Sequence, residues 1–211
     1  MSGAVARVNP YERWVLPFGL DLAMRHRELT RYRTQVAPRA RGVVLEVGAG
    51  SGLNFAYYTA ETTRVLALDP SPPLLRMAKR RAAKTAFPVE FISVSGERIP
   101  LPDRSVDNVV MTWTLCSIPD PEQALREIRR VLKPAGKLLF AEHGLAPDAR
   151  VAAWQHRLNG IWTPLAGGCR LDRRIDDLIR TAGFEFDDLR KGYARLPRVL
   201  GYLYVGSAVP A

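Results

Sequence analysis

Short apolar runs recur along the chain from residue 41 onward, and amphipathic stretches separate them. The run at residues 43–47 leads into a cluster of glycines, and the run at residues 65–69 ends on an acid. Short apolar runs rich in β-branched residues are typical of strands that are buried on both faces of a parallel sheet. The predicted strands occupy residues 43–47, 65–69, 89–93, 106–112, 137–141, 185–190 and 200–205.

Helical periodicity fills the gaps between these runs. Asp120, Pro121 and Gln123 have the spacing of a helix start with a capping box, and apolar residues follow at a helical period. Ser71, which precedes a proline, predicts the start of an earlier helix, and another helix is expected near residues 175–181. The alternation of strands and helices predicts a doubly wound, Rossmann-like α/β sheet of about seven strands.

Residues 1–40 differ from the rest, since aromatic and arginine side chains are mixed there with Pro10, Pro17 and Pro38. We predict broken helices in this segment, ahead of a sheet domain at residues 41–211. A helical stripe of apolar residues beside arginines is typical of a lid over a pocket, or of a helix that lies on an anionic membrane surface. The stripe consists of Tyr11, Trp14, Val15, Phe18 and Leu22. The alternative is that the stripe packs on the domain and the arginines are solvated.

The composition is that of an ordinary globular domain, with 47% hydrophobic and 25% charged residues among 211. Cys116 and Cys169 lie far apart in sequence, without a CxxC or Cys/His motif around them, which argues against a disulfide framework and a metal site such as zinc. The chain has no apolar stretch of about 18 residues, and its start lacks the apolar core of a signal peptide. The cytoplasm is therefore the expected location.

The net charge is +10, from 31 basic and 21 acidic residues, and it favours an anionic partner. That partner is either a membrane surface or nucleic acid. The basic residues are spread along the chain, and a compositional bias towards arginine explains the charge equally well. Nucleic acid is therefore the less favoured partner.

The glycines of residues 48–52 predict a ligand-binding loop, because ligands of such sheets bind beyond the carboxyl ends of the strands. A dinucleotide fingerprint reads G-x-G-x-x-G, but here the third glycine, Gly52, comes one residue early. Glu46, at the end of the preceding strand, would repel a pyrophosphate and attract a cation. The loop favours a ligand with an ammonium or sulfonium group and disfavours a nicotinamide-dependent oxidoreductase.

Asp69 ends the second predicted strand, where a carboxylate can accept hydrogen bonds from both hydroxyls of a ribose. The alternative is that it caps the helix that starts near Ser71. The two roles are compatible, because a carboxylate has several acceptor positions.

Together these residues resemble the motifs of the class I S-adenosylmethionine-dependent methyltransferases, in the small-molecule branch called type 11. The resemblance covers roughly residues 41–145 and rests on residues 46–52, Asp69 and residues 119–136. It implies S-adenosylmethionine as cofactor and the strand order 3-2-1-4-5-7-6 with the last strand antiparallel. Glu46 would face the methionine end of the cofactor, and Asp69 would hold the ribose. The implied cofactor contacts are Glu46, Gly48, Ala49, Gly50, Gly52, Asp69, Pro70, Ser95, Gly96, Glu97 and Thr112.

Ser95 departs from the family pattern, because relatives often carry at this position an Asp that contacts the adenine amino group. The resemblance then implies that Ser95 and the backbone of Gly96 contact adenine. A narrower resemblance is to the alkyl-thiol methyltransferases, which are membrane-associated and act on small lipophilic thiols. It rests on residues 112–118, 142–143, 154–155 and 168–171. Bacterial sequences of this shape are also labelled quinone or phospholipid methyltransferases, so the expected acceptor is a small lipophilic thiol, quinol or phospholipid head group.

His143 is the residue expected to deprotonate the acceptor, since it ends a predicted strand beside the expected mouth of the site. The alternative is a histidine that organises the following loop. The predicted acceptor pocket consists of Trp14, Trp113, Leu115 and Cys116. For both cysteines, packing is expected rather than nucleophilic chemistry.

Two other functional classes stay open at this point. A nucleic-acid methyltransferase or basic binding module would be expected to carry an Asn/Asp-Pro-Pro-Tyr/Phe motif, but residues 112–115 read TWTL. A cofactor-binding regulator without catalytic activity is the other. Neither the acceptor atom nor the oligomeric state follows from these patterns.

Overall fold

Seven strands form one sheet in the order β3-β2-β1-β4-β5-β7-β6. A computed structural model of the protein describes residues 10–211. The strands are β1 Gly42–Val47, β2 Thr62–Leu68, β3 Val89–Ile92, β4 Val106–Thr112, β5 Leu132–His143, β6 Phe184–Tyr193 and β7 Tyr202–Pro210. Strands β1 to β5 pair in parallel, and β7 runs antiparallel to both of its neighbours. The predicted fold and strand order are confirmed.

The described residues contain α-helices on both faces of this sheet. Their bounds are α1 Leu16–Ala23, α2 Arg27–Val36, α3 Pro72–Ala82, α4 Pro121–Val131, α5 Ala149–Leu165 and α6 Ile175–Thr181. Shorter helical turns occupy Tyr11–Val15, Ala37–Arg39 and Phe55–Tyr57.

The two faces of the sheet build two apolar cores. In β1, Leu45 belongs to the core beside α4 and α6, whereas Val44 belongs to the core beside α2 and α3. Successive side chains of a strand point to opposite faces, so a strand that is covered on both faces must be apolar throughout. This explains why the continuous apolar runs correctly predicted strands.

The start of α4 is close to the expected capping box. The Asp120 carboxylate accepts a hydrogen bond from the Gln123 backbone N–H at 2.9 Å. In a capping box the Gln123 side chain would accept a hydrogen bond from the Asp120 N–H. Here the Glu97 carboxylate accepts that bond instead, at 2.7 Å. Likewise, Ser71 precedes α3 without a capping bond from its side chain.

Strand β5 begins at Leu132, directly after α4, and not at residue 137 as predicted. Leu132 pairs with Val106, and the register shifts before Asn108 pairs with Lys137. The irregular register accommodates Pro134, which has no N–H to donate to a ladder.

The predicted N-terminal segment divides into two parts. Helix α2 belongs to the core, since Val36 at its end and Ala37 are fully buried against the sheet. Helix α1 instead leaves part of the apolar stripe exposed, including Phe18 at 61% and Leu22 at 72%. The alternative of a stripe packed on the domain is therefore wrong for these side chains. Residues 1–9 of the predicted lid lie outside the described residues, and the boundary at residue 40 stays a prediction.

Candidate active site

A cavity of about 300 Å³ lies at the carboxyl ends of β1, β2 and β4. The order of the sheet reverses direction between β1 and β4, and open α/β sheets bind ligands beside such a switch point. The glycine loop forms one wall, Trp113 and Thr114 after β4 form another, and Leu20 of α1 contributes to the roof.

The glycine loop bends over the end of β2. The backbone N–H groups of Gly48 and Ala49 both donate to the Leu68 carbonyl, at 2.8 and 3.0 Å. Gly48 has a φ of +72°, and a Cβ there would come within 2.2 Å of Thr114 Oγ1. Close approach of the loop to the β4 side therefore requires glycine.

Gly52 has a packing role and does not line the cavity. Its φ is +78°, and a Cβ would lie 2.6 Å from the Phe55 ring and 3.2 Å from Ala78 of α3. The third glycine of the loop thus allows the loop to pack against α3, even though it comes one residue early for a dinucleotide fingerprint.

Glu46 is the buried acid at the inner end of the cavity, with 2% of its surface exposed. Its carboxylate accepts hydrogen bonds from Asn54 Nδ2 at 2.9 Å and from the Tyr58 hydroxyl at 2.7 Å. Burial raises the pKa of Glu46 to about 7, although these hydrogen bonds and the charge of Arg33 act in the opposite direction. An ionised Glu46 is therefore costly until a cation neutralises it.

Asp69 follows β2 and ties the glycine loop to the start of α3. One carboxylate oxygen accepts from the Gly50 N–H and the other from the Ser71 N–H, both at 2.8 Å. Burial raises its pKa, and the two backbone amides oppose that shift. Each oxygen retains a second acceptor position, so the bonds of the capping interpretation leave room for ribose hydroxyls.

Arg33 of α2 supplies a buried cation on the cavity wall that sequence reasoning missed. It is 4% exposed, lines the cavity, and stacks its guanidinium 4.5 Å from the centre of the Trp113 ring. Burial lowers its pKa to about 10. Trp113 itself has a φ of +53°, an unusual conformation for a residue other than glycine and one that recurs at functional sites.

Several polar atoms around this cavity are buried and have no hydrogen-bond partner among the described residues. They are the donors Nε and Nη1 of Arg33 and Nε1 of Trp113, and the acceptor Oδ1 of Asn54. Buried polar atoms are normally paired, so this set indicates a polar ligand. Donors and an acceptor together match an α-amino acid, which carries a carboxylate and an ammonium group.

Helix α1 is held over the cavity by a buried acid. Asp21 forms ion pairs with Arg25 and, at 2.8 Å, with Arg81 of α3. Arg81 also donates to the carbonyl of Ser51 in the glycine loop. The residues of α1 that line the cavity are Leu16, Pro17, Leu20 and Asp21, and Met24, directly after the helix, lines it as well.

Most of the predicted cofactor contacts do line the cavity. They are Glu46, Gly48, Ala49, Gly50, Asp69, Pro70, Ser95, Gly96 and Thr112. Glu97, in contrast, is absent from the lining, and its carboxylate accepts from Ser95 Oγ and from the Asp120 N–H. The position of Glu97 therefore indicates a residue that holds the Ser95 loop in place rather than one that contacts a ligand.

The four residues predicted to contact the acceptor do not lie together in the structure. Trp113 lines the cavity, but Trp14 lies outside its lining with 59% of its surface exposed. Leu115 and Cys116 are buried behind the wall, because their short segment turns away from the cavity after Thr114. The expected placement of these three residues in the pocket is wrong.

His143 is also not at the mouth of the site. It is 6% exposed, and its Nε2 lies 3.4 Å from the Cys169 sulfur. The loop after α5 covers the end of β5, so that the imidazole faces this loop and not the cavity. Its role as a base stays a prediction, and no contact with the cavity supports it. The sequence around the cysteines lacks a Cys/His motif, but the fold brings His143 beside both of them.

Glu142, beside His143, organises the wall from behind. It is fully buried, and one carboxylate oxygen accepts from the Thr114 N–H at 2.8 Å. Burial raises its pKa to about 7, against the effect of the backbone amides of Thr114, Leu115 and Cys116. An acid inside an apolar strand was the signal that could have revealed this role.

The comparisons with known proteins agree with this geometry. A model of the methyltransferase domain matches residues 45–140. Human thiol S-methyltransferase TMT1A is 33% identical over 201 residues, which cover 90% of this chain and 82% of that protein. The chain therefore belongs to the class I S-adenosylmethionine-dependent methyltransferases, and S-adenosylmethionine is its cofactor.

Within this class the chain is similar to thiol S-methyltransferases of the TMT1 type. Rat TMT1B is 38% identical over 67% of this chain, and the match spans 59% of that protein. The ubiquinone/menaquinone biosynthesis C-methyltransferase UbiE of Azotobacter vinelandii is 30% identical over 67% of this chain and 58% of that protein. A methyltransferase structure from Aquifex aeolicus shares the fold, with a TM-score of 0.62 at 18% identity over 92% of this chain and 98% of that one.

Proposed function

We propose that the protein transfers the methyl group of S-adenosylmethionine to the sulfur of a small lipophilic thiol. The observation that carries the acceptor assignment is the set of titratable groups on the cavity wall. Among the described residues that line it, these groups are Asp21, Arg33, Glu46 and Asp69. Asp21 is paired with arginines, and the other three are the groups that we assign to the cofactor.

The cofactor assignment follows from the unpaired atoms and the buried acids. Arg33 and the Trp113 indole would bind the methionine carboxylate, while Asn54 Oδ1 and Glu46 would bind the ammonium group. Asp69 would accept the ribose hydroxyls.

Adenine would then lie against the segment after β3. Ser95 and the backbone of Gly96 line that side of the cavity, together with Ile118. Glu97 would hold the segment in place through its bonds to Ser95 Oγ and the Asp120 N–H.

The acceptor side of the cavity is apolar. Leu16 and Leu20 of α1 line it beside Ala166 and Gly167, since a Cβ on Gly167 would lie 3.4 Å from the Leu16 side chain and 3.5 Å from that of Leu20. Such a wall favours a lipophilic acceptor and excludes water, which would otherwise compete for the reactive group.

A thiol also suits a site that lacks a free base on its described lining. A thiol as acidic as that of cysteine has a pKa of about 8.5, so a few per cent of it is already thiolate near neutral pH. The cofactor supplies an electrophilic methyl group on a sulfonium, and the protein then has to hold the acceptor in line and keep the site dry. Alcohols and most carbon acceptors ionise far less readily and would need a base.

The test is a series of thiols of graded acidity, assayed at saturating S-adenosylmethionine with detection of the thioether product. The rate should rise about tenfold per pH unit below the pKa of each thiol and level off near that pKa, because the acceptor's own ionisation supplies the nucleophile. The matched control is the aliphatic alcohol of the same shape, which should give no product. A plateau at one common pH for all thiols would mean that a protein base sets the rate, and would contradict the argument.

A quinol is the second candidate, because the UbiE relatives are named as C-methyltransferases of ubiquinone and menaquinone biosynthesis. A demethylated menaquinol, assayed beside the thiols, separates the two. Methylation of the quinol without methylation of any thiol would refute the sulfur assignment and leave the cofactor assignment intact.

We also propose that one face of the protein adsorbs to an anionic membrane. Phe18 and Leu22 of α1 are exposed, and so are Ile161 and Leu165 of α5, at 69% and 55%. The Tyr11 hydroxyl donates to the Leu165 carbonyl, so the two exposed groups adjoin. With the net charge of +10, the apolar face matches what interfacial helices use. No helix among the described residues is long and apolar enough to cross a membrane.

Flotation with vesicles that contain an anionic lipid tests this face. The wild type should float at low salt and dissociate as salt rises, because screening weakens the electrostatic part of adsorption. The double variant Phe18→Ser and Leu22→Ser should remain in the bottom fraction of the gradient. The control Tyr193→Ser, which replaces an exposed aromatic residue of β6, should float like the wild type. A wild type that does not float at low salt would refute the contact.

A further inference from the structure

We propose that Cys116, His143 and Cys169 form a binding site for a single divalent cation of the zinc class. The two sulfurs and a ring nitrogen of His143 all lie within 4.8 Å of one another. The cluster was not apparent from the sequence, where the three residues are far apart, and it is separate from the cofactor cavity, whose lining includes none of them.

Three different elements bring the ligands together. Cys116 follows β4, His143 is the last residue of β5 beside it, and Cys169 lies in the loop after α5. The Arg170 N–H donates to the Cys116 carbonyl at 2.9 Å, which fastens the last of these segments to the first. The exposed fractions are 2% for Cys116, 6% for His143 and 9% for Cys169. The side chains are therefore already ordered and largely removed from water.

The separations suit tetrahedral coordination. Zinc binds sulfur at about 2.3 Å and histidine nitrogen at about 2.0–2.1 Å, so tetrahedral ligands should be about 3.8 Å apart between sulfurs and about 3.6 Å between sulfur and nitrogen. The observed distance from Cys169 Sγ to His143 Nε2 is 3.4 Å. Shifts of a few tenths of an ångström would complete this half of the coordination geometry.

The charge and the surroundings also fit. Two thiolates and a neutral imidazole would neutralise a divalent cation, which is the way in which buried charge is tolerated. The Trp162 indole donates to the Cys169 sulfur at 3.2 Å, the type of outer-shell hydrogen bond that orients a metal-bound thiolate. Leu171 and Leu158 enclose the cluster in apolar surface.

Such a cation would stabilise one wall of the cofactor cavity. Ser117, directly after Cys116, lines the cavity, and so does Gly167, two residues before Cys169. Gly168 lies so close to this wall that a Cβ on it would be 3.1 Å from the Ser117 carbonyl. A cation that links Cys116, His143 and Cys169 would hold these two segments together, with its fourth position open to a small exogenous ligand.

The test is metal analysis of wild-type protein purified without chelators and without a metal-affinity column. We expect one zinc per chain, and, after exchange to Co²⁺, the absorption bands of a cobalt–thiolate complex. Cys169→Ser and His143→Gln should lose both signals, while His156→Gln, at an exposed histidine paired with Asp172, should keep them. A chelator should lower the Tm of the wild type and of the His156 variant, but not that of the Cys169 variant.

The wild type decides the outcome even where a variant fails to fold. Wild-type protein that contains no zinc and forms no cobalt–thiolate complex on titration with Co²⁺ would overturn the proposal. Recovery of Cys116 and Cys169 as a disulfide from protein kept with a thiol reductant would overturn it as well, because a thiolate site binds the cation only when reduced. These readouts do not depend on the acceptor, so failure of the thiol assignment leaves this test unaffected.

Discussion

Replacement of Glu46 by glutamine should change both the stability of the protein and the pH dependence of cofactor binding. Glu46→Gln preserves the size of the side chain and removes its charge. In the wild type, burial raises the pKa of Glu46 to about 7 from its ordinary value of 4.5. The unfolded chain therefore loses its proton at a lower pH than the folded chain does. The free energy of unfolding should fall as pH rises from about 4.5 to about 7, and low pH preserves this contribution.

The size of the stability effect follows from the shift. At about 1.4 kcal/mol per pKa unit, the wild type should lose roughly 3 kcal/mol across this interval through Glu46, and the glutamine variant should lack that decrease. Urea unfolding of both proteins at several pH values measures it. Parallel pH profiles for the two proteins would refute the assignment of the shift to this carboxyl.

Cofactor binding should show the opposite trend with pH. If the ionised carboxylate binds the ammonium group, a pKa of about 7 makes the affinity for S-adenosylmethionine roughly eightfold weaker at pH 6 than at pH 7.5. Glu46→Gln should bind S-adenosylmethionine more weakly at pH 7.5 and lose most of the dependence of affinity on pH. Any pH dependence that remains in the variant measures the ionisation of the ligand itself. S-adenosylhomocysteine, which has the same amino acid end, should follow the wild-type trend in calorimetry. A wild-type affinity independent of pH would contradict the role of Glu46.

Three further substitutions test the rest of the site. Asp69→Ala should weaken S-adenosylmethionine binding by on the order of 1.5–3 kcal/mol, because it removes the carboxylate that would accept hydrogen bonds from the ribose and from the glycine loop. Unchanged affinity in calorimetry would exclude the ribose role. Arg33→Met should weaken binding roughly 10- to 100-fold through loss of the carboxylate contact, whereas the exposed Arg41→Met should bind normally; equal affinities would place the carboxylate elsewhere. Asp21→Ala should release α1, seen as faster amide exchange in residues 16–23 and a higher KM for lipophilic thiols; slow exchange like that of the wild type would show that the ion pairs do not hold the helix.

The central strands β1, β2, β4 and β5 were predictable because most of their residues are buried on both faces, a state that leaves a continuous apolar run in the sequence. The part of the cavity wall that we propose for the cofactor was predictable from similarly local features. Gly48 and Gly50 occur where the backbone needs positive φ, at +72° and +55°, and Glu46 and Asp69 are acids at the ends of buried strands. Each is a local feature, and strand ends meet at one edge of the sheet.

The roof was harder to predict, because α1 is apolar on two faces. The side with Leu16, Leu20 and Met24 lines the cavity, and the side with Phe18 and Leu22 faces solvent. Helical periodicity reports that a face is apolar but not what covers it. The stripe chosen from the sequence was therefore the exposed one.

The cluster of cysteines and histidine behind the wall was not predictable, because it depends on contacts between distant segments. Cys116, His143 and Cys169 come from three segments whose approach depends on β5 lying beside β4 and on the path of the loop after α5. No local pattern encodes such a contact. Arg33 was missed in a similar way, since an arginine in a basic helix gives no sign that it will be buried over Trp113.

The arrangement of charge in the cavity agrees with the chemistry of methyl transfer. At the cofactor end, Arg33 and Glu46 are buried, and for both of them burial shifts the pKa towards the neutral form. Both charges therefore become less costly when a ligand of complementary charge binds. At the proposed acceptor end the wall is apolar, and a thiolate that took the methyl group of a sulfonium there would neutralise two opposite charges. A low-dielectric surrounding disfavours the separated charges more than the transition state in which they disappear. If the charged end holds the cofactor and the acceptor is a thiol, as proposed, the apolar surface at the other end would speed the transfer, and a site without a free base on its described lining would be sufficient.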